Sequence, residues 1–557
     1  MKKPLINSHV LACALIVLVT VGIYCNSLQG DFIWDDRGLI TNNAEYLNDW
    51  KNLFAVFVKP FFGQTPYYRP LLTGSFIIDY QLWELNPFGY HYTNVLFHTA
   101  NALLVYLFIY ILFKHTYLAL FTSLLFASHP VQTEAVAWIS GRNDVLLTFF
   151  SLLTLILHLC WHEYKGLRRV LAYSVYLAAY ACTLLTKESG LILPVLAILV
   201  DCFFTEGRRI QAKSYVGLLL ISILYFFSRM RILDDIGLNL GGKDLFHTLI
   251  GVVVTYAYYF KMLLFPLSQT AVPSLTVSST GNEFVLISSI FLIVFLLTPA
   301  VLCLKKFREV SFVIIWVFIS LFPVCGIVPL SVPALEHRLY LACVCFSMLI
   351  PISVCKLQQL QSQTCQLAKI RKVLLCIIPV IVVVYSAKTI ARNTIWHNEG
   401  FFWLYSVHDS PRSALARNNL GIVYSTEGAH EKAIREFKTA LTFYDEKNLL
   451  THGPKNSHHA KIYNNLGRSY YHLLYDSILD SHESVAPIAD DILQCHDEEA
   501  YKLYTLSYAC YQSALRFDPS SAEAHNNLGD LYYFMKQYQN AEKEYEAALK
   551  VSSEHPR

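Results

Sequence analysis

Apolar runs of about 17 to 22 residues recur along the chain up to about residue 391, separated by short polar stretches. A helix of that length matches the hydrocarbon thickness of a bilayer. Membrane-spanning helices are predicted near 9–29, 93–113, 116–135, 143–162, 170–186, 188–204, 213–231, 284–304, 310–330, 338–355 and 372–391. A further apolar run, 245–265, contains His247 and Lys261 and a tyrosine-rich stretch, Tyr256, Tyr258 and Tyr259. Basic residues near spans stay cytoplasmic. The clusters Lys2/Lys3, Lys114, Lys165/Arg168/Arg169, Arg208/Arg209/Lys213, Lys305/Lys306/Arg308 and Lys369/Arg371/Lys372 fall on one side only if 245–265 does not cross. That run is therefore read as a re-entrant or interfacial helix. The resulting eleven crossings put the N-terminus inside and the C-terminal part outside. They leave two large non-cytoplasmic loops, 30–92 and 231–283, where chemistry is expected.

After His408 charges become dense and the long apolar runs stop. Three copies of one pattern follow: Asn418-Asn419-Leu420-Gly421 with Tyr424, Ala433, Phe437 and Ala440; Asn464-Asn465-Leu466-Gly467 with Tyr470; and Asn526-Asn527-Leu528-Gly529 with Tyr532, Ala541, Tyr545 and Ala548. The spacing in the first and third copies is that of the tetratricopeptide repeat, in which two antiparallel helices touch at small residues. The second copy resumes at Tyr511, Ala514 and Pro519 after an insertion of roughly 28 residues, by comparison with the repeat period, that includes Asp490 and Asp491. The expected organisation is all-α: a polytopic membrane domain over 1–392, a linker over 393–412 and a repeat α-solenoid over 413–557. Such solenoids bind many kinds of peptide, and a structural spacer is the plainer alternative.

Composition agrees with two solvents for two parts. Only 15% of residues are charged and 54% are hydrophobic, whereas soluble domains carry about a quarter charged. The net charge of +3 and the lack of a long basic run give no support to nucleic-acid binding. Cysteines such as Cys13, Cys182, Cys303 and Cys376 lie in apolar runs, where they read as small apolar residues. Cys495 and Cys510 lie in the polar part, and pairing between them is left open. The start, Met1-Lys2-Lys3 before an apolar run, also fits a signal peptide; the continuing membrane pattern favours a retained first span.

Several polar sets sit at the predicted non-cytoplasmic helix ends. The first loop opens Phe32-Ile33-Trp34-Asp35-Asp36-Arg37. Two adjacent acids raise each other's pKa, which suits a general base; a solvated loop or a calcium ligand fits them too. Arg69, His129, Glu134, Arg142, Lys187, Glu188 and the run Glu336-His337-Arg338-Leu339-Tyr340 lie at the same face. Polar groups at membrane depth usually face a cavity or a partner, and converging basic groups suit a phosphate. Lys187 and Glu188 also fit a structural ion pair. No Gly-rich nucleotide loop and no zinc-type His/Cys spacing is present.

The Trp-Asp-Asp loop, the segment His129 to Arg142 (HPVQTEAVAWISGR), the segment Lys187 to Gly190 (KESG) and the segment Glu336 to Tyr340 (EHRLY) resemble the transmembrane and tetratricopeptide-repeat O-mannosyltransferases and their bacterial relatives. The order of parts, membrane domain then repeats, is also similar. The resemblance implies a glycosyltransferase of the C superfamily. It implies transfer of a sugar, mannose in the protein-modifying branch, from a polyprenyl-phosphate carrier to a Ser or Thr hydroxyl outside the cytoplasm, by an inverting displacement. It implies Asp35 or Asp36 as base, with Asp35 favoured. Arg69, Arg142, Arg338, His129 and Lys187 would hold the donor phosphate, and Glu134, Glu188, His337 and Tyr340 would support them. It implies no cofactor and no required metal, although Asp35 and Asp36 suit one, and it has the repeats hold an acceptor polypeptide. The chain departs from the animal members in having three repeats, one interrupted. The expected location is a bacterial inner membrane with the repeats outside, or the endoplasmic reticulum with lumenal repeats. The alternatives are a transferase for lipid or glycan acceptors, a repeat scaffold for secreted or envelope proteins, and a transporter, for which no internal symmetry between halves is visible.

Overall fold

A computed structural model of the chain describes residues 5–60, 67–205, 212–233, 245–266, 269–273, 283–302, 304, 307–327, 334–359, 365–445, 455–481 and 497–554. Every regular element among the described residues is a helix. Contacts divide the chain into two units whose boundary falls between Glu399 and Gly400.

In the first unit each of the eleven predicted runs falls on a helix. Among the described residues seven are long and apolar enough to cross a membrane: Ser8–Gln29, Pro87–Phe113, Ile139–Glu163, Gly166–Thr186, Lys213–Leu233, Glu336–Lys356 and Cys376–Trp396. Thr116–Ser128 is apolar but only 13 residues long, while the run 284–304 forms the 20-residue helix Glu283–Leu302 and the run 245–265 the 20-residue helix Leu245–Leu264. Three of the other four runs form shorter helices for local reasons. The run 116–135 was counted through His129-Pro130, and the helix stops at Ser128 because the residue before a proline is biased away from helix. The run 310–330 contains Pro323, and its helix ends at Leu321. The run 188–204 opens with a tight turn, Glu188–Ile192, before its helix Leu193–Phe204.

The first large loop, 30–92, is a folded cap rather than a tether. It holds short helices at Asp35–Leu39, Ala44–Asn48 and Asn52–Ala55, then the longer Pro70–Trp83. Ile40, Leu47, Val56, Leu72, Phe76 and Ile77 form an apolar core that reaches Tyr90, Ile139 and Leu146 of the membrane helices. Residues 61–66 of this loop, and 234–244, 267–268 and 274–282 of the second loop, lie outside the described residues. So do Lys2, Lys3, Arg208, Arg209, Lys305, Lys306 and Cys303. The stretch expected as a linker, 393–412, is ordered into a turn at Thr394–Trp396 and a helix at Glu399–Asp409.

After the Glu399–Asp409 helix, the described residues of the second unit form three helix pairs: Ala414–Thr426 with His430–Asp445, Lys455–Ser481 with Glu498–Phe517, and Ala522–Phe534 with Tyr538–Glu554. Ser413, Asp497 and Ser521 cap three of these helices by accepting backbone N–H bonds. The glycines of the sequence pattern mark the close approach within each pair. A Cβ at Gly421, Gly467 or Gly529 would come within 2.6, 2.8 or 2.6 Å of Phe437, Tyr511 or Tyr545. The middle pair keeps that contact but has helices of 27 and 20 residues, against 13 and 16 in the first. Part of the insertion thus lengthens the repeat helices. Asp490, Asp491 and Cys495 lie outside the described residues, and Cys510 is a buried free thiol.

Candidate active site

The Trp-Asp-Asp loop folds against the turn that precedes the Arg142–Cys160 helix. Asp36 is fully buried. Its carboxylate accepts from the Ser140 backbone N–H at 2.9 Å, from the Ser140 hydroxyl and from the Ile33 N–H at 3.2 Å. Burial pushes its carboxyl up to about 7, against the pull of those hydrogen bonds. Asp35 is exposed by area, yet protein surrounds it on its other sides, and that desolvation raises it to about 6. The two acids therefore differ: one is enclosed and hydrogen-bonded, the other opens to water.

Trp34 stacks on Trp138, with centroids 4.9 Å apart and planes 14° apart, and Trp138 stacks on buried Trp396 at 5.8 Å and 25°. The Trp138 ring also lies 5.7 Å from the His337 ring. Trp138 thus joins the acid loop to the polar cluster beyond it. His337 lies within electrostatic reach of Asp144, Lys187, Arg338 and Arg69. Its Nδ1 meets the Glu134 carboxylate at 2.7 Å, and that carboxylate also accepts from the Glu336 backbone N–H at 2.8 Å. Glu134 in this way ties the 129–142 segment to the 336–340 segment.

The cations expected to share one site divide into two groups. Arg69 pairs with Glu188 through two hydrogen bonds of 2.7 and 3.2 Å, and the guanidinium packs over the Tyr67 ring. Lys187 donates to both oxygens of Asp144, at 2.7 and 2.8 Å, and to Asn143 at 3.2 Å. Arg338 is half-buried beside Tyr259. These three gather about His337. Arg142 does not join them. It is fully buried, pairs with Asp79 at 2.5 Å, donates to Asn94 Oδ1 and Tyr90 O at 2.7 and 2.8 Å, and lies over the Phe76 ring. It locks the cap to the membrane helices and presents no free edge. His129 is likewise enclosed, with its Nε2 3.2 Å from Leu263 O and its Nδ1 capping Val131 N–H. Tyr340 is buried between His98 and Asn101.

The Lys187–Glu188 ion pair expected as one reading is not formed. Lys187 sits in extended backbone, φ −158° and ψ 136°, so neighbouring side chains diverge, one to Asp144 and one to Arg69. Sequence reasoning did not assign roles to Asp79, Asp144, Trp138, Ser140 or Arg392. Arg392, at the end of the last long helix, pairs with Glu336 at 3.1 Å. Its signal was an arginine closing an apolar run. Arg229 was also missed; Tyr225 lies within electrostatic reach of Arg229, Arg69 and Glu188. Among the described residues no group of three or more His, Cys, Asp or Glu is arranged to hold a metal ion.

Comparison with known proteins adds two findings. Family models described as TPR repeat and Tetratricopeptide repeat match residues 504–536 and 522–555. A protein O-mannosyl-transferase of Caenorhabditis elegans is 27% identical over 458 residues, covering 77% of this chain and 62% of that protein. Protein O-mannosyl-transferase TMTC3 of Mus musculus is 24% identical over 621 residues, covering 96% of this chain and 63% of its own length. Protein O-mannosyl-transferase TMTC2 of Homo sapiens is 33% identical over 229 residues, 37% of this chain and 27% of its own. The chain spans less than two-thirds of the length of each of these relatives. With the membrane helices first and the repeats last, it is a homologue of the transmembrane and tetratricopeptide-repeat protein O-mannosyl-transferases.

Proposed function

We propose that this protein is a membrane glycosyltransferase that moves a sugar, mannose, from a polyprenyl-phosphate carrier to a Ser or Thr hydroxyl of a protein on the non-cytoplasmic face. The observation that carries the reading is the juxtaposition, through Trp138, of a water-facing carboxylate and a cluster of Arg69, Lys187 and Arg338. Asp35 takes the proton from the acceptor hydroxyl as its oxygen attacks the anomeric carbon. The bond from that carbon to the phosphate oxygen breaks, and its electron pair leaves with the phosphate. The cations offset the growing phosphate charge, which is where electrostatic stabilisation is most effective. One displacement inverts the anomeric centre. The relatives' names as O-mannosyl-transferases support the sugar and the reaction class.

Purified full-length protein given synthetic polyprenyl-phosphate-mannose and Ser/Thr peptides is expected to form a glycosylated peptide of inverted configuration. Binding of repeat ligands with no turnover of any polyprenyl-phosphate sugar would favour the scaffold reading, and turnover onto lipid or glycan alone would favour the other acceptors. The base must be ionised, so the raised Asp35 carboxyl moves the acidic limb of kcat/KM from near 3.8 up to about 6, and activity falls as pH drops through that value. A limb remaining near pH 4 would remove Asp35 from the role.

The repeats supply acceptor docking in this scheme. Removing residues 410–557 is expected to raise KM for a protein acceptor at least tenfold and to leave a short peptide acceptor within about threefold, as loss of a remote docking site should. Equal effects on both would remove that role. Eleven crossings place the repeats outside; a compartment-sensitive reporter after Arg557 tests this, and cytoplasmic activity would overturn it.

A further inference from the structure

We propose that Trp34, Asp36 and Ser140 form a two-point clamp that positions Asp35, so that the two adjacent acids divide their work between chemistry and placement. The inference rests on the reading of Asp35 as the base.

The residues on either side of Asp35 are both anchored to the same short segment, 138–140. On one side Trp34 has φ 53° and ψ −119°, a backbone state that residues other than glycine rarely adopt. Strain of this kind persists only where the surroundings impose it, and it concentrates at functional sites. Here the imposing contact is the Trp34 ring lying on Trp138, which is itself backed by Trp396. On the other side, three donors hold Asp36: two from Ser140 and one from Ile33. Both of its oxygens are occupied, so it has no free edge for an acceptor hydroxyl. Of the three consecutive residues, Asp35 alone is exposed.

The anchor is itself immobilised. A Cβ at Gly141 would lie 2.7 Å from Glu134 O and 2.8 Å from Ala135 Cα, so backbone packs directly on backbone at this turn. The next residue, Arg142, is pinned to Asp79, Asn94 and Tyr90. The segment 138–140 therefore serves as a fixed post, and the strained Trp34 peptide and the Asp36 carboxylate set Asp35 against it. Placement matters because a shift of about 1 Å in a reacting group costs on the order of 10²-fold in rate. The clamp also accounts for Trp34 and Ser140, for which proton transfer and phosphate binding supply no role.

The test uses the full-length protein with synthetic polyprenyl-phosphate-mannose and a Ser/Thr peptide. Trp34→Gly relieves the backbone strain while deleting the ring. Ser140→Ala removes one of Asp36's donors but keeps the backbone N–H. Each is expected to lower kcat by roughly 10- to 100-fold, consistent with misplacement of the base. KM for donor and peptide should stay within about twofold, and thermal stability of Trp34→Gly should not fall. The acidic limb of the pH profile should move below 6 as Asp35 gains water. Trp34→Phe, which retains a ring for the stack, should recover most of kcat. A kcat within threefold of wild type in both Trp34→Gly and Ser140→Ala, with Asp35→Asn inactive, would overturn the clamp and leave the base. Full activity of Asp35→Asn would remove the base and the clamp together. A loss of kcat that tracks loss of stability, with an unmoved pH limb, would reduce the contacts to ordinary packing.

Discussion

Asp35→Asn is expected to lower transfer by roughly 10²- to 10⁴-fold, the range general-base catalysis supplies, with no loss of folded protein. The substitution is isosteric, and the side chain faces water rather than a buried partner. Removing its charge therefore leaves the cap intact. Asp36→Asn should behave differently although the change is chemically the same. Its carboxylate receives donors on both oxygens, so an amide must turn its own N–H₂ toward either the Ser140 donors or the Ile33 N–H. A buried donor facing a donor costs about 1–3 kcal/mol. That variant should lose thermal stability as well as rate. Initial rates and melting curves on the two variants separate them. If Asp35→Asn retained wild-type kcat, the assignment of the base would fall.

The second large effect is expected at Arg142, in stability and not in donor affinity. Arg142→Met leaves Asp79 buried without its cation. Breaking a buried pair in this way costs about 3–5 kcal/mol, and the variant also loses the contacts to Asn94 and Tyr90 that join the cap to the Pro87–Phe113 helix. A double variant, Asp79→Leu with Arg142→Met, should recover a large part of the loss, since no uncompensated charge remains. Arg69→Met should show the opposite pattern. Arg69 is only partly enclosed, at 12% exposure, so its loss should reach the donor KM and kcat before it reaches the melting point. A normal melting point for Arg142→Met with a raised donor KM would return Arg142 to the phosphate site.

The two arginines look alike in the chain. Each stands in a polar stretch outside the predicted spans, and both were expected to bind phosphate. What distinguishes them is Asp79, which lies 63 residues before Arg142 in the chain and reaches it only because the Pro70–Trp83 helix folds back onto the membrane helices. The same holds for Lys187: its neighbour Glu188 was the obvious partner, while its actual partner, Asp144, comes from another helix.

Patterns that act within one segment were therefore legible. Apolar run length placed the membrane helices, because a helix must satisfy its backbone internally whatever surrounds it. The Gly and aromatic spacing placed the three repeats, because each pair packs on itself, as Gly421 on Phe437 and Gly529 on Tyr545. Prolines trimmed two runs, 116–135 and 310–330, into shorter helices, a local effect that counting apolar residues passes over. The nearness of Arg69, Lys187 and the 336–340 segment was also expected, because each was read as standing outside the predicted spans on the same side. Which of two adjacent acids opens to water was not. Asp35 and Asp36 are the same residue type in the same loop, and only the packing of that loop on Trp138 and Ser140 buries one and leaves the other exposed. Ion pairing, burial and stacking depend on distances between segments far apart in sequence, and those distances exist only once the helices have packed.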